Sequence, residues 1–103
     1  GGGAEEPRQQ LKLVLFVASE KGFADIAKLL IDKGASLDRA RDSDGVTPVA
    51  VASQLGHLDV VKLLIESKAN LNIKSKFGTP LTLSVRFKKP EIVKLLRAAG
   101  AKQ

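Results

Sequence analysis

The 103-residue chain has no Cys, Met, Trp or Tyr, and a single His. Without Cys there are no disulfides, thiolate metal ligands or cysteine nucleophiles. One His and no Cys leave no zinc-ligand set at familiar spacing, and no metal or cofactor is expected. Long apolar runs are missing as well. The longest, Leu13 to Ala18, has six residues, whereas a membrane-spanning helix needs about twenty. No charged-then-apolar leader opens the chain, so an intracellular location, cytoplasmic or nuclear, is expected. Gly1 to Gly3 precede no strand–loop–helix pattern and make no phosphate loop. Together with the lack of Met, they read as a processed or engineered terminus. The joint absence of four residue types points the same way.

Acidic residues are scarce in one half. Residues 1–67 carry 8 basic and 10 acidic side chains, and residues 68–103 carry 9 basic and 1 acidic, Glu91. Such asymmetry fits an acidic partner, a phosphate-bearing partner or a solvated face. What is abundant is ordinary: 44% hydrophobic and 27% charged residues describe a globular chain, and its length allows one small domain.

An internal repeat organises that domain. Lys-Leu-Leu occurs at 28–30, 62–64 and 94–96, in steps of 34 and 32 residues. The surrounding strings recur too: ADIAKLLIDKGASLD from Ala24, LDVVKLLIESKANLN from Leu58 and PEIVKLLRAAGAKQ from Pro90. A fixed period of this size marks a solenoid, in which each unit buries its apolar face on its neighbour. Thr47-Pro48 and Thr79-Pro80 are helix starts. Threonine caps free N–H groups, and proline at the first helical position has no N–H to satisfy. These starts predict short helices at 48–55 and 80–87. Gly56-His57 then turns into a second helix at about 58–67, with Val60, Val61, Leu63, Leu64 and Ile65 forming its apolar face. Lys89-Pro90 starts the matching helix of the last unit. The segments ASLDRARDSDG and ANLNIKSKFG are polar, glycine-containing connections.

These residues resemble the ankyrin repeat, with its period of about 33 and its T-P-L-H-x-A signature. Thr47-Pro48, Gly56-His57, Lys62-Leu63-Leu64 and Ala69-Asn70-Leu71-Asn72 carry the likeness, which covers about residues 11–101. It implies an all-α ankyrin-repeat solenoid of stacked helix–turn–helix units with short hairpin-like connections. A flexible, tag-like stretch 1–6 would precede one domain, 7–103, with units at about 7–41, 42–74 and 75–103. Ala50 and Thr82 stand where the signature has His, so an inter-repeat hydrogen bond of the family should be missing. Lys68 and Lys88 stand at turn positions that favour glycine. The first unit lacks Thr-Pro; its first helix is expected from near Pro7 to Lys21, with exposed apolar side chains including Leu11 and Val14.

The candidate chemistry is sparse. His57 reads as a structural hydrogen-bonding residue, since general base work needs a positioned partner. Asp42 and Asp44 read as turn caps in preference to cation ligands. No enzyme is expected. The resemblance implies protein binding through the hairpin tips and the concave face of the first helices. By register this face comprises Glu20 and Lys21, then Ser43, Asp44, Val46, Gln54 and Leu55, then Lys76, Phe77, Arg86 and Phe87. Val46, Leu55, Phe77 and Phe87 supply apolar anchors beside basic side chains. The expected partner is another protein with acidic and apolar surface. The alternatives are an acidic polymer such as nucleic acid or an anionic membrane bound by residues 68–103, and a scaffold without a native partner. Nucleic-acid sites usually add aromatic stacking platforms, and only Phe77 and Phe87 are at hand. Weak self-association through the first helix is also expected.

Overall fold

The computed structural model describes residues 13–103. The tag-like stretch 1–6, the helix start near Pro7 and Leu11 lie outside the described residues. Within them are three helix pairs: α1 (Val14–Lys21) with α2 (Ala24–Asp32), α3 (Pro48–Leu55) with α4 (Leu58–Glu66), and α5 (Pro80–Arg86) with α6 (Pro90–Ala98). The pairs stack in register, as the repeat requires. The first helices pack in the order α1, α3, α5 and the second in the order α2, α4, α6, giving two layers. The helices expected at 48–55, 58–67 and 80–87 hold to within a residue. The connections form no strands among the described residues; one isolated bridge, Ser75 to Gly78, is all the extended pairing they hold.

Both Thr-Pro starts work as caps. Thr47 Oγ1 accepts from the Ala50 N–H at 3.3 Å, and Thr79 Oγ1 from the Thr82 N–H at 3.2 Å. The Thr82 hydroxyl lies 3.2 Å from Thr79 Oγ1, inside its own unit, and Ala50 has no polar side chain to offer. The helices end alike. The N–H just past the last turn bonds back to a carbonyl five residues earlier: Phe23 to Ala18, His57 to Ala52 and Lys89 to Ser84 at the inner turns, and Ala35 to Leu30, Ala69 to Leu64 and Ala101 to Leu96 at the outer ends. This closure needs a left-handed residue immediately before the donor. Glycine fills that place at Gly22, Gly34, Gly56 and Gly100, but Lys68 (φ 72°) and Lys88 (φ 59°) fill it elsewhere. The sequence expectation for both lysines is thus met, at the cost of strain that glycine would not carry.

Most of the core lies between the layers. Leu15, Ala27, Val49, Val60, Val61, Leu64, Leu81, Ile92 and Leu96 are buried together. Leu64 is the fully buried leucine of its helix, and Leu63 is only half-buried. A second cluster, of Phe16, Val46, Ala50, Val51 and Leu83, lies among the first helices and below the first hairpin. Buried hydroxyls are paired at Ser53 (to the Val49 carbonyl, 2.6 Å) and Ser84 (to the Leu81 carbonyl, 2.8 Å), whereas Ser19 Oγ has no partner among the described residues.

The units are also tied by hydrogen bonds spaced one repeat apart. Asp38 Oδ1 accepts from the Asn70 N–H at 2.9 Å, and Asn72 Oδ1 from the Lys102 N–H at 2.8 Å. Thr79 Oγ1 donates to the Lys102 carbonyl at 2.8 Å, which pins the C-terminal end against α5.

Candidate protein-interaction site

The turns after α1, α3 and α5 set the register of the candidate face. Glu20, Gln54 and Arg86 are equivalent, and so are Lys21, Leu55 and Phe87. Each is held one or two residues ahead of a fixed left-handed turn. The second hairpin is shaped locally: Ser75 Oγ accepts from the Phe77 N–H and lies 3.0 Å from the Gly78 carbonyl, to which it donates. That folds the tip so that Lys76 and Phe77 project. The two tips are joined by the Lys76 N–H bonding to the Asp44 carbonyl at 2.9 Å.

Leu55, Phe77 and Phe87 are 45%, 47% and 44% exposed, and Lys76 and Arg86 stand beside the two phenylalanines in an exposed setting. Phe87 therefore does not fold over the C-terminal core. Lys21 and Ser43 are exposed, and Glu20, Asp44 and Gln54 are half-buried. Val46 departs from the expectation. It is 1% exposed and packs with Phe16, Ala50, Val51 and Leu83, so it is a core residue and cannot anchor a partner. Its position just ahead of Thr47-Pro48 carries the chain inward to the helix start, and the inward direction is what the register alone left unread.

Arg41 was not singled out by sequence. It makes two bonds to Asp44, Nε to Oδ1 at 3.1 Å and Nη2 to Oδ2 at 2.7 Å. Its guanidinium also lies 4.9 Å from the centre of the Phe16 ring and 4.0 Å from Glu20 Oε2. The Asp44 carboxylate additionally accepts from the Val46 N–H at 3.1 Å, which is the turn-capping role expected of it. The hydrogen bond from Arg41 holds the Asp44 carboxyl below the usual carboxylate range, against the opposing effect of burial, and the same bond raises Arg41 further. The only early signal was the Arg41–Asp44 spacing of three. Its effect on the face is to neutralise the two acidic members, Glu20 and Asp44, from within. The ion pairs among the described residues all lie between Glu20 and Asp44. The basic residues from Lys62 onward have no carboxylate partner among them, so the second-hairpin end of the face is apolar and cationic.

His57 does structural work. Its Nε2–H donates to the Glu20 carbonyl at 2.9 Å, which ties α4 to the preceding unit. The ring roofs Gly22 so closely that a Cβ there would lie 2.6 Å from His57 Nδ1. No group of His, Cys, Asp or Glu among the described residues is arranged to hold a metal. No helix among them is long and apolar enough to cross a membrane.

Paired helices stacked in register, left-handed turn closures and hydrogen bonds recurring at the repeat spacing define a helical repeat protein. The family model described as "Ankyrin repeats (3 copies)" matches residues 15–103, and the chain belongs to the ankyrin-repeat family. Ankyrin repeats are generally protein–protein interaction modules and are typically non-enzymatic. No curated protein matched the chain by sequence.

Proposed function

We propose that the protein binds another protein through Leu55, Phe77 and Phe87, with Lys76 and Arg86 selecting an acidic surface beside the apolar contacts. Glu20, Lys21, Ser43, Asp44 and Gln54 form the rim of the same face. The observation that carries the reading is the set of exposed apolar side chains Leu55, Phe77 and Phe87, flanked by Lys76 and Arg86, which form no ion pair among the described residues. Large side chains of this kind at a rigid surface supply most of the energy of an interface. Intracellular location and non-catalytic action belong to the same reading, as does a weak tendency to self-associate through the first helix.

The test is the variant carrying Leu55→Ser and Phe87→Ser. Partners captured by the wild type are identified and purified, and their affinity is measured for both proteins at two salt concentrations, with a single-stranded RNA as comparison. The expected result is an affinity lower by at least about tenfold, with melting nearly unchanged and a salt dependence shallower than that of the RNA. Tighter binding to the RNA, falling steeply with salt through counterion release, would replace this reading by the electrostatic one.

A further inference from the structure

The N-terminal end of the stack presents a second apolar surface, distinct from the face just described. Val17, Phe23, Ile26 and Leu29 are 43%, 49%, 49% and 56% exposed. The repeat register shows how unusual this is. Val60 and Ile92 stand at the position of Ile26 in the next two units and are 0% and 2% exposed. Val51 and Leu83 stand at the position of Val17 and are buried as well. In those units the preceding helix pair covers them. Among the described residues, the first unit therefore carries a leading face shaped for close packing whose apolar side chains are exposed.

The trailing face of another copy does not fit it. Inside the stack, each inner turn glycine is roofed by the following unit: a Cβ at Gly22 would lie 2.6 Å from His57 Nδ1, and one at Gly56 3.2 Å from Lys89 Cε. Phe23 is the roofing residue of the first unit. The last unit has Lys88 at that turn, in left-handed conformation, and so already carries the Cβ that a roof would meet. A rigid phenylalanine has less room to turn aside than a lysine chain. Head-to-tail stacking of copies, which would run on as an open filament, is blocked at this end.

The leading face does match itself. Asp25 and Lys33 are exposed at opposite ends of the Ile26–Leu29 strip, four residues on either side of Leu29. Neither has an ion-pair partner among the described residues, whereas Lys28 and Asp32 pair with each other at 3.3 Å. Two α2 helices crossing antiparallel at Leu29 bring Asp25 of each copy beside Lys33 of the other and oppose the helix dipoles favourably. We propose that two copies of the chain associate about a two-fold axis through Val17, Phe23, Ile26 and Leu29, with α2 antiparallel to α2 and Asp25 paired with Lys33. Four partly exposed side chains per copy make a contact small for a permanent interface, so the dimer is weak, and its two-fold axis closes it.

Sedimentation velocity of the full chain from micromolar to millimolar concentration tests this. The expected result is a monomer–dimer equilibrium with no larger species. Leu29→Asp should weaken it at least about tenfold while melting and helicity stay close to the wild type. Asp25→Lys and Lys33→Asp should each weaken it, and the two changes together should restore it. A monomer at every concentration, growth beyond the dimer, or no recovery in the charge-swapped protein would each overturn the proposal.

Discussion

Replacing Lys68 and Lys88 by glycine should stabilise the protein. Both residues sit in the left-handed region, at φ 72° and 59°. Both close a helix end whose backbone hydrogen bonds leave no other conformation: Lys68 N–H to Ile65 with Ala69 N–H to Leu64, and Lys88 N–H to Val85 with Lys89 N–H to Ser84. A side chain with a Cβ costs about 1–2 kcal/mol in that conformation. Glycine returns about 0.5–1 kcal/mol of this through the greater freedom of the unfolded chain. The expected net gain is about 0.5–1 kcal/mol per site. The sites lie at the ends of α4 and α5, in different layers, so the gains should add. For a domain of this size the doubly substituted protein should melt about 5–15 °C higher. Thermal unfolding followed by circular dichroism reads this directly, and urea titration gives the free energy. Removing two cations from a basic half could stabilise by itself, so the control is Lys68→Ala with Lys88→Ala, which removes the charge and keeps the Cβ. It should gain little. If the alanine protein gained as much as the glycine protein, or the glycine protein melted at or below the wild type, conformational strain would not be the cause.

The buried hydroxyls give a contrast: Ser19→Ala should stabilise by up to about 1 kcal/mol, because Ser19 Oγ is buried without a partner, whereas Ser53→Ala should cost about 1 kcal/mol; urea titration of both settles it. Leu64→Ala should cost about 2–5 kcal/mol and unfold much of so small an array, while Leu63→Ala, at a half-buried site, should cost visibly less by the same measurement. Gly22→Ala should destabilise more than Gly34→Ala, since both turns are left-handed but only Gly22 lies beneath His57, with open space at Gly34; a His57→Gly background should narrow the gap in melting temperature. Asp44 titrates lower in the folded protein than in the unfolded chain, so its contribution is present above the ordinary carboxylate range and is lost as pH falls through the lowered value. Asp44→Asn should therefore flatten that acid limb of a stability-versus-pH curve and leave its neutral part little steeper or shallower.

The fold was legible because several independent signals agreed. The spacing of Lys-Leu-Leu, the two Thr-Pro caps and the apolar face of α4 each required the same stacked pairs. Leu55 and Phe87 could be placed for the same reason, since each stands just ahead of a recurring turn, whereas the exposure of Phe77 follows from how Ser75 folds the hairpin tip. Val46 could not be placed, because connections of unequal length have no shared register, and its burial depends on how the first hairpin folds back over Phe16. Arg41 was hidden likewise, since its partners Glu20 and Phe16 are brought to it only by the stack. At the N-terminal end the sequence drew attention to Val14. The structure instead exposes Val17, Phe23, Ile26 and Leu29, and comparison of Ile26 with Val60 and Ile92 would have revealed the largest part of that face beforehand.

The closure of each inner turn has a consequence for how such a protein can change. The bonds that end α3 and α5 run from the N–H groups of His57 and Lys89 to the carbonyls of Ala52 and Ser84. They join main-chain atoms only and span Leu55 and Phe87 without touching either side chain. The backbone closure is therefore independent of what these two positions display. Under the proposed reading, binding should change on substitution at Leu55, Lys76, Phe77 and Phe87 while melting stays close to the wild type. Glu20 lacks that freedom because its carboxylate lies 4.0 Å from the Arg41 guanidinium. Diversification of this surface should thus be graded along the stack, most permissive toward the C-terminal unit and most constrained at the first.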